Sequence, residues 1–202
     1  MGKIVVSQNV SLDGVVEDPT GEEGFRHGGW FEQFMGQDRA AWASLEFSEA
    51  QRAEALLLGR RTDEYFGPRW SSATGEWADR LNSLPKYVVS STLEEPRWTN
   101  GTVVQGDVVS EVSELKRQME GEIVVYASRL LVHTLMEHDL VDELAAERLS
   151  RRARGGRAAL RRDQRQETNA AHQHRDHRRR PRQPEVRARP RRLTAERVLG
   201  AC

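Results

Sequence analysis

The chain has 202 residues, 31 basic and 31 acidic, and a single cysteine, Cys202. The length suits one domain of ordinary size, and a lone cysteine excludes an intramolecular disulfide framework. No apolar run approaches the ~20 residues of a membrane-spanning helix, and the amino-terminal residues lack a basic-then-apolar secretory pattern, so a soluble, cytoplasmic protein is expected.

Neutrality is an average of two unlike parts. After Leu144 fall 18 of the 31 basic residues, all arginine, and only 6 of the 31 acidic ones, which leaves 13 basic against 25 acidic residues before that point. Tyr126 is the last aromatic residue. Cores are built from large apolar side chains, so a folded domain is expected over residues 1–144 and an Arg-rich, disordered tail over 145–202.

In chain order, KIVVSQNV (3–10) is short, apolar and β-branched, which predicts a buried strand. SLDG (11–14) turns the chain, with Asp13-Gly14 as the turn signal, and a Gly- and acid-rich loop runs to Gly29. Helices are predicted over 31–43 and 46–55, then a short strand at ALLLG (55–59). A short helix begins near Thr62 and gives way to a loop with Pro68 and Trp70. Another helix covers 76–82. Strands follow at KYVVSS (86–91) and TVVQG (102–106). A helix over 109–119 carries Val109, Val112, Leu115 and Met119 on one face. EIVVYAS (122–128) is a strand, and 129–138 is a helix with Leu130, Leu131, Thr134 and Leu135 near one stripe. His133 and His138 are expected on the surface.

Strands alternating with helices predict an α/β fold with a mainly parallel sheet flanked by helices. In such sheets ligands bind beyond the carboxyl ends of the strands. Four segments therefore matter: Ser11 to Gly14, Gly59 to Thr62, Ser90 to Thr92, and Ala127 to Arg129. In LLLGRRT, Gly59 permits close backbone approach, Arg60 or Arg61 could pair with a phosphate, and Thr62 could cap a helix whose free amides attract anions. The alternative is a plain strand–turn–helix with solvated arginines. Ser90, Ser91 and Thr92 could hold a ribose phosphate or simply satisfy turn amides. Ala127-Ser128 opens a helix after a strand, which suits phosphate or an ordinary connection. GxGxxG is absent, so the two-halves dinucleotide fingerprint is not present.

SLDG, LLLGRRT, PKYVVSSTL and the unit ending in HDLVDEL, taken in order over residues 3–144, resemble the dihydrofolate-reductase-like superfamily. The likeness is greatest to bacterial reductases related to the C-terminal reductase domain of the bifunctional riboflavin-biosynthesis deaminase/reductase (RibD). The resemblance implies a reductase using NADPH as hydride donor on a small heterocycle, such as the 5-amino-6-(5-phosphoribosylamino)uracil of riboflavin biosynthesis. It would set Gly59, Arg60, Arg61 and Thr62 at the cofactor phosphates, Ser90, Ser91 and Thr92 at the adenosine ribose phosphate, and Ala127-Ser128 at the pyrophosphate. It would set Asp13 and Gly14 near the nicotinamide and substrate. Asp13 is the nearest candidate for a catalytic acid, although Asp before Gly commonly serves a turn; Glu32 is a further helix carboxylate. Ala127 stands where the family usually has glycine, and Asp63 where an aromatic is common. Relatives are often dimers, so a homodimer is expected, and no metal is.

The family needs further edge strands after HDLVDEL, and AAERLSRRARGGRAALRRD, with no period-2 alternation and few β-formers, predicts that they are missing. Three readings compete. A basic arm would bind nucleic acid with steep salt dependence, but the stretch has no lysine or interleaved aromatics. A polar tail would merely stay solvated. A reading-frame slip is testable against the genetic code: taking the last two bases of each codon with the first of the next, residues 150–163 can encode PVVLGAGERLFG followed by Glu and Thr. That is the missing family segment at its expected distance. A frameshift from about residue 145 is therefore the preferred reading, with nucleic-acid binding the lesser alternative. A frameshifted chain would have an incomplete cofactor site. His172, His174 and His177 lie in the same polar stretch and are not read as a metal site.

Overall fold

Lys3–Ser11 forms the interior strand β1, whose apolar β-branched residues bury both faces. This computed structural model describes residues 1–149 except Leu12 and 36–38. The Arg-rich stretch from residue 150, with the frame-slip, nucleic-acid and histidine expectations attached to it, lies outside the described residues.

After β1 the loop winds about Asp18, whose buried carboxylate accepts the amides of Glu23 (3.0 Å) and Phe25 (2.9 Å). Helices α1 (Trp30–Met35) and α2 (Arg39–Arg52) follow, and β2 (Ala53–Gly59) starts directly at the end of α2. The helix predicted to 55 thus yields three residues to the strand, since Ala53 and Ala55 pair with β5 (Glu122–Tyr126). Helix α3 (Arg60–Ser72) is longer than predicted and passes through Pro68. Proline removes one helical hydrogen bond, but tertiary anchors hold the helix. Asp63, fully buried, accepts the amides of Arg97 (2.7 Å) and Trp98 (3.1 Å). A Cβ on Gly67 would lie 2.8 Å from the backbone of the same two residues, so that glycine permits the contact.

α4 (Glu76–Ser83), β3 (Lys86–Val89), β4 (Gly101–Val104), α5 (Val108–Gln118), β5, α6 (Arg129–Glu137) and β6 (Glu143–Leu149) complete the order. The sheet runs β4-β3-β2-β5-β1-β6 and every pairing is parallel. Helices cover both faces. Ile4, Val6, Leu57, Ile123 and Val125 pack with α5 and α6, while Val5, Leu56, Leu58 and Val124 pack with α2 and α4. On α6, Leu131, Val132 and Leu135 are buried, but Leu130 is 65% exposed and His133 is buried, which reverses the expected placement of both. The helix turns its Leu131–Leu135 row to the sheet, carrying the neighbouring His133 inward with it.

The expectation that no strand follows Leu144 is corrected for Ala145–Leu149. Asp142 fixes the start of β6: its carboxylate accepts the Ile4 amide (2.8 Å) and pairs with the buried Lys116 ammonium (2.5 Å), and its own amide donates to Ile4 O (3.0 Å). From there the chain follows the edge of β1 in register from Val5↔Glu143 to Ser11↔Leu149. Main-chain pairing along a ready edge overrides a composition poor in β-formers.

Candidate active site

Strand β5 sits between β2 and β1, where the order of connections reverses, so the carboxyl ends of these three strands form the switch point at which α/β sheets bind ligands. Three of the four predicted segments meet there in one hydrogen-bonded network. The Gly59 amide donates to Ser128 Oγ (2.9 Å), and both the Ser128 amide (3.2 Å) and its hydroxyl (2.9 Å) approach Thr62 Oγ1. Gln8 Nε2 donates to Ala127 O, tying the same turn to β1. Arg60 reaches outward, its Nη1 donating to Thr92 Oγ1 (2.8 Å) and its Nε to Glu64 (2.7 Å).

Two helices begin at this network, and each begins without a side-chain cap: α3 at Gly59 and α6 at Ser128. By contrast α5 is capped by Asp107, which accepts the Ser110 amide (2.8 Å). The first amides of α3 and α6 therefore face the switch point with positive helix ends and no chain-supplied side-chain cap, the chemistry that suits an anion. Gly59 has an ordinary φ of −83°, and a Cβ there would meet Ser128 only at 3.7 Å. The chain itself does not require glycine at 59, and its bare backbone leaves space against the network.

Several sequence expectations change in detail. Thr62 does not cap α3, since Gly59 is the N-cap; the hydroxyl instead receives Ser128 across the site. Ser90 serves its turn, accepting the amides of Thr92 (3.2 Å) and Leu93 (3.0 Å). Arg61 and Ser91 are exposed at the rim. Ala127 and Ser128 both have φ of +48°, a left-handed conformation costing a residue with a Cβ about 1 kcal/mol. Glycine at 127 would adopt it freely. Asp63 does not take an aromatic's place at the site; it anchors the 97–98 turn beneath α3.

The fourth segment lies on the β1 side. Ser11 Oγ donates to Asp13 Oδ1 (2.7 Å) and accepts the Val15 amide (2.9 Å), and Gly14 turns the chain at φ +81°. Asp13 thus stands at the carboxyl end of β1 as a half-buried member of a turn. Glu32 is exposed and pairs with Arg39.

Beside it is a group that sequence reasoning missed. Trp42, Glu46 and Glu49 occupy one stripe of α2, and both glutamates are buried against the sheet. Ser7 Oγ donates to Glu49 Oε2 (2.7 Å), and Trp42 Nε1 donates to Asn9 Oδ1 (3.0 Å). Ser7 pairs in register with Tyr126, whose hydroxyl is buried with no hydrogen-bond partner among the described residues. Burial, with Glu46 and Glu49 nearby, raises the Tyr126 phenol well above its usual pKa, so it remains a neutral donor. The i, i+4, i+7 spacing of Trp42, Glu46 and Glu49 was the available signal. It was obscured because a stripe containing two carboxylates reads as a solvated face.

Residues 2–147 match the family model described as the RibD C-terminal domain. The chain belongs to the RibD C-terminal domain family. No curated protein matches its sequence. Among solved structures this RibD C-terminal domain is similar to a protein from Shewanella sp. PV-4 described as a riboflavin biosynthesis protein, with 19% identity, a TM-score of 0.58, and coverage of 78% of this chain and 82% of that one. It is also similar to the dihydrofolate reductase of Enterococcus faecalis solved with NADP(H), at 14% identity and TM-score 0.49, covering 79% of this chain and 77% of that one. The deaminase/5-amino-6-(5-phosphoribosylamino)uracil reductase of Thermotoga maritima aligns at 13% identity and TM-score 0.48 over 78% of this chain and about half (47%) of that longer one. At 19% identity the likeness to the Shewanella protein is one of fold. The RibD C-terminal domain match ends at residue 147, within β6.

Proposed function

We propose that this RibD C-terminal domain is an NADPH-dependent reductase acting on a small heterocyclic substrate of the ribosylamino-pyrimidine kind. The observation that carries the reading is the convergence of two uncapped helix starts, α3 and α6, on one hydroxyl-and-amide network, with Arg60 extended from it to Thr92. Two phosphates joined in series need paired sets of amide donors, and a third phosphate on a ribose needs a guanidinium farther out. The residues present fit that demand. Family membership points the same way.

When bound, NADPH would supply the hydride that adds to the carbon of a C=N or C=O bond, while a proton goes to the heteroatom. The chain's part is to hold and exclude. Gly59, Thr62 and Ala127-Ser128 would hold the pyrophosphate. Arg60, with Arg61 at the rim, would meet the adenosine phosphate beside Ser90, Ser91 and Thr92. Gly14 would let the β1 turn lie close to the nicotinamide, and Asp13 would orient the reacting end of the substrate or relay the proton. The reading carries with it a cytoplasmic setting and a homodimer.

Titration of the full chain with NADPH, following nicotinamide fluorescence, tests it. Saturable enhancement is expected, weaker by about tenfold for Arg60→Ala, the loss of one charge-assisted contact, and with a smaller loss for NADH. A folded chain giving no response at millimolar NADPH would sink the reading.

A further inference from the structure

We propose that the groove between α5 and the outer edge of β4 is covered by this chain's own Arg-rich segment, residues 150–202, laid along the strand. The proposal is independent of the reductase reading.

β4 is the last strand on its side of the sheet. β3 pairs with one of its edges, and among the described residues no strand pairs with the other. A free edge is a template for a further strand, and proteins blunt such edges with charge, proline or a cover. Gly101–Val104 reads GTVV, which has neither charge nor proline. Thr102 is exposed, and Val103 and Val104 are half-buried. Between this edge and α5 lies a groove of about 310 Å³, walled by Tyr87, Val103, Val112 and Leu115 and rimmed by the exposed Glu111 and Glu114. Free backbone groups beside apolar walls suit an extended peptide.

The rim sets the charge of that peptide. From Gln105 to Gln118 the exposed charges are Asp107, Glu111 and Glu114 against Arg117, while Lys116 is buried and paired with Asp142. Asp107 caps α5, and Glu114 is shared by Arg117 and Gln118. The Glu111 carboxylate has no hydrogen bond or ion pair among the described residues. A second copy of β4 would set an equal acidic rim against this one. The Arg-rich segment brings the opposite sign: residues 150–202 hold 17 arginines against 5 acidic residues, and residues 1–149 hold 26 acidic against 14 basic residues. Guanidinium groups form strong paired hydrogen bonds with carboxylates such as these. The segment also has the reach. Leu149 stands on the opposite edge of the sheet, about five strand spacings or roughly 24 Å from β4. Extended chain spans up to ~3.3 Å per residue, and 53 residues follow Leu149.

Hydrogen exchange of the full chain, read by mass spectrometry, tests the proposal. At low salt the amides of residues 102–105 should exchange about tenfold more slowly than in about 1 M salt, where pairs between exposed charges are screened. Polyglutamate, which competes for the arginines, should remove the protection at low salt. The double substitution Glu111→Lys with Glu114→Lys should do the same, and both positions are exposed, so folding is spared. The amides of β3, an interior strand, should stay protected throughout and report that the chain is folded. Fast exchange of 102–105 in folded chain at every salt concentration would overturn the proposal. So would protection that survives polyglutamate or the charge reversal. Protection lost on dilution would overturn it too, because the cover would then come from a second copy.

Discussion

The two sides of strand β5 are built from different material. Toward β2 and α3 the surface is main chain: helix amides, a bare Gly59, and two short hydroxyls that stitch the turns together. Toward β1 and α2 it is side chain: buried glutamates, a buried phenol and indole rings. Backbone donors are present whatever the residue, so the first side can keep one binding chemistry through wide sequence change. The second side depends on individual residues at each position.

The largest expected effect breaks the main-chain side through its support. Asp63→Ala removes a buried carboxylate that holds two backbone amides and leaves them unpaired, a loss of about 3 kcal/mol. Urea unfolding would read it, and a loss below ~1 kcal/mol would mean α3 is not anchored at the 97–98 turn. On the side-chain side the sign reverses. Tyr126→Phe should stabilise the free chain by about 1–2 kcal/mol by deleting an unsatisfied buried hydroxyl. Equal or lower stability would mean that the hydroxyl finds a partner in solution.

Ala127→Gly sharpens the contrast further. Relief of the left-handed alanine should add up to about 1 kcal/mol, less what glycine costs in the unfolded chain, and NADPH affinity should rise as the backbone becomes free to approach the cofactor. A thermal melt and the fluorescence titration check both parts.

A pH dependence lies beneath the main-chain side. Burial lowers the Lys86 ammonium from 10.5 to about 8, with Asp63 opposing the shift; its Nζ donates to Asn82 O (3.0 Å) and Leu84 O (2.8 Å). Between these values the unfolded chain binds the proton and the folded chain does not, so stability should rise with pH from about 8 toward 10. Above the usual tyrosine pKa, the raised Tyr126 phenol acts in the other direction, since only the unfolded chain ionises there and stability falls. Urea midpoints from pH 7 to 10.5 should therefore pass through a maximum, and Lys86→Met should abolish the rising limb.

The same contrast explains what the sequence made legible. LLLGRRT and VVYAS are contiguous strand–turn–helix segments, so their placement at the strand ends follows from local periodicity and the rule for parallel sheets. Their mutual contact, Ser128 to Thr62 across 66 residues, follows from the order of β2 and β5. The buried polar cluster under α2 has no such local signature. Ser7, Glu49 and Tyr126 come together only through the pairing of β1 with β5 and the packing of α2 on that face. Buried glutamates cannot be told from solvated ones by composition. Two elements misled for the same reason, tertiary override of propensity: Pro68 inside α3, and Ala145–Leu149 as a strand on the edge of β1.

The most direct measurement is a calorimetric titration of NADPH into folded wild type and Arg60→Ala. Wild type should bind saturably, and Arg60→Ala should bind about tenfold more weakly, the cost of one strong hydrogen bond. No binding by wild type, or unchanged affinity in Arg60→Ala, would contradict the account of the helix starts of α3 and α6 as the cofactor site.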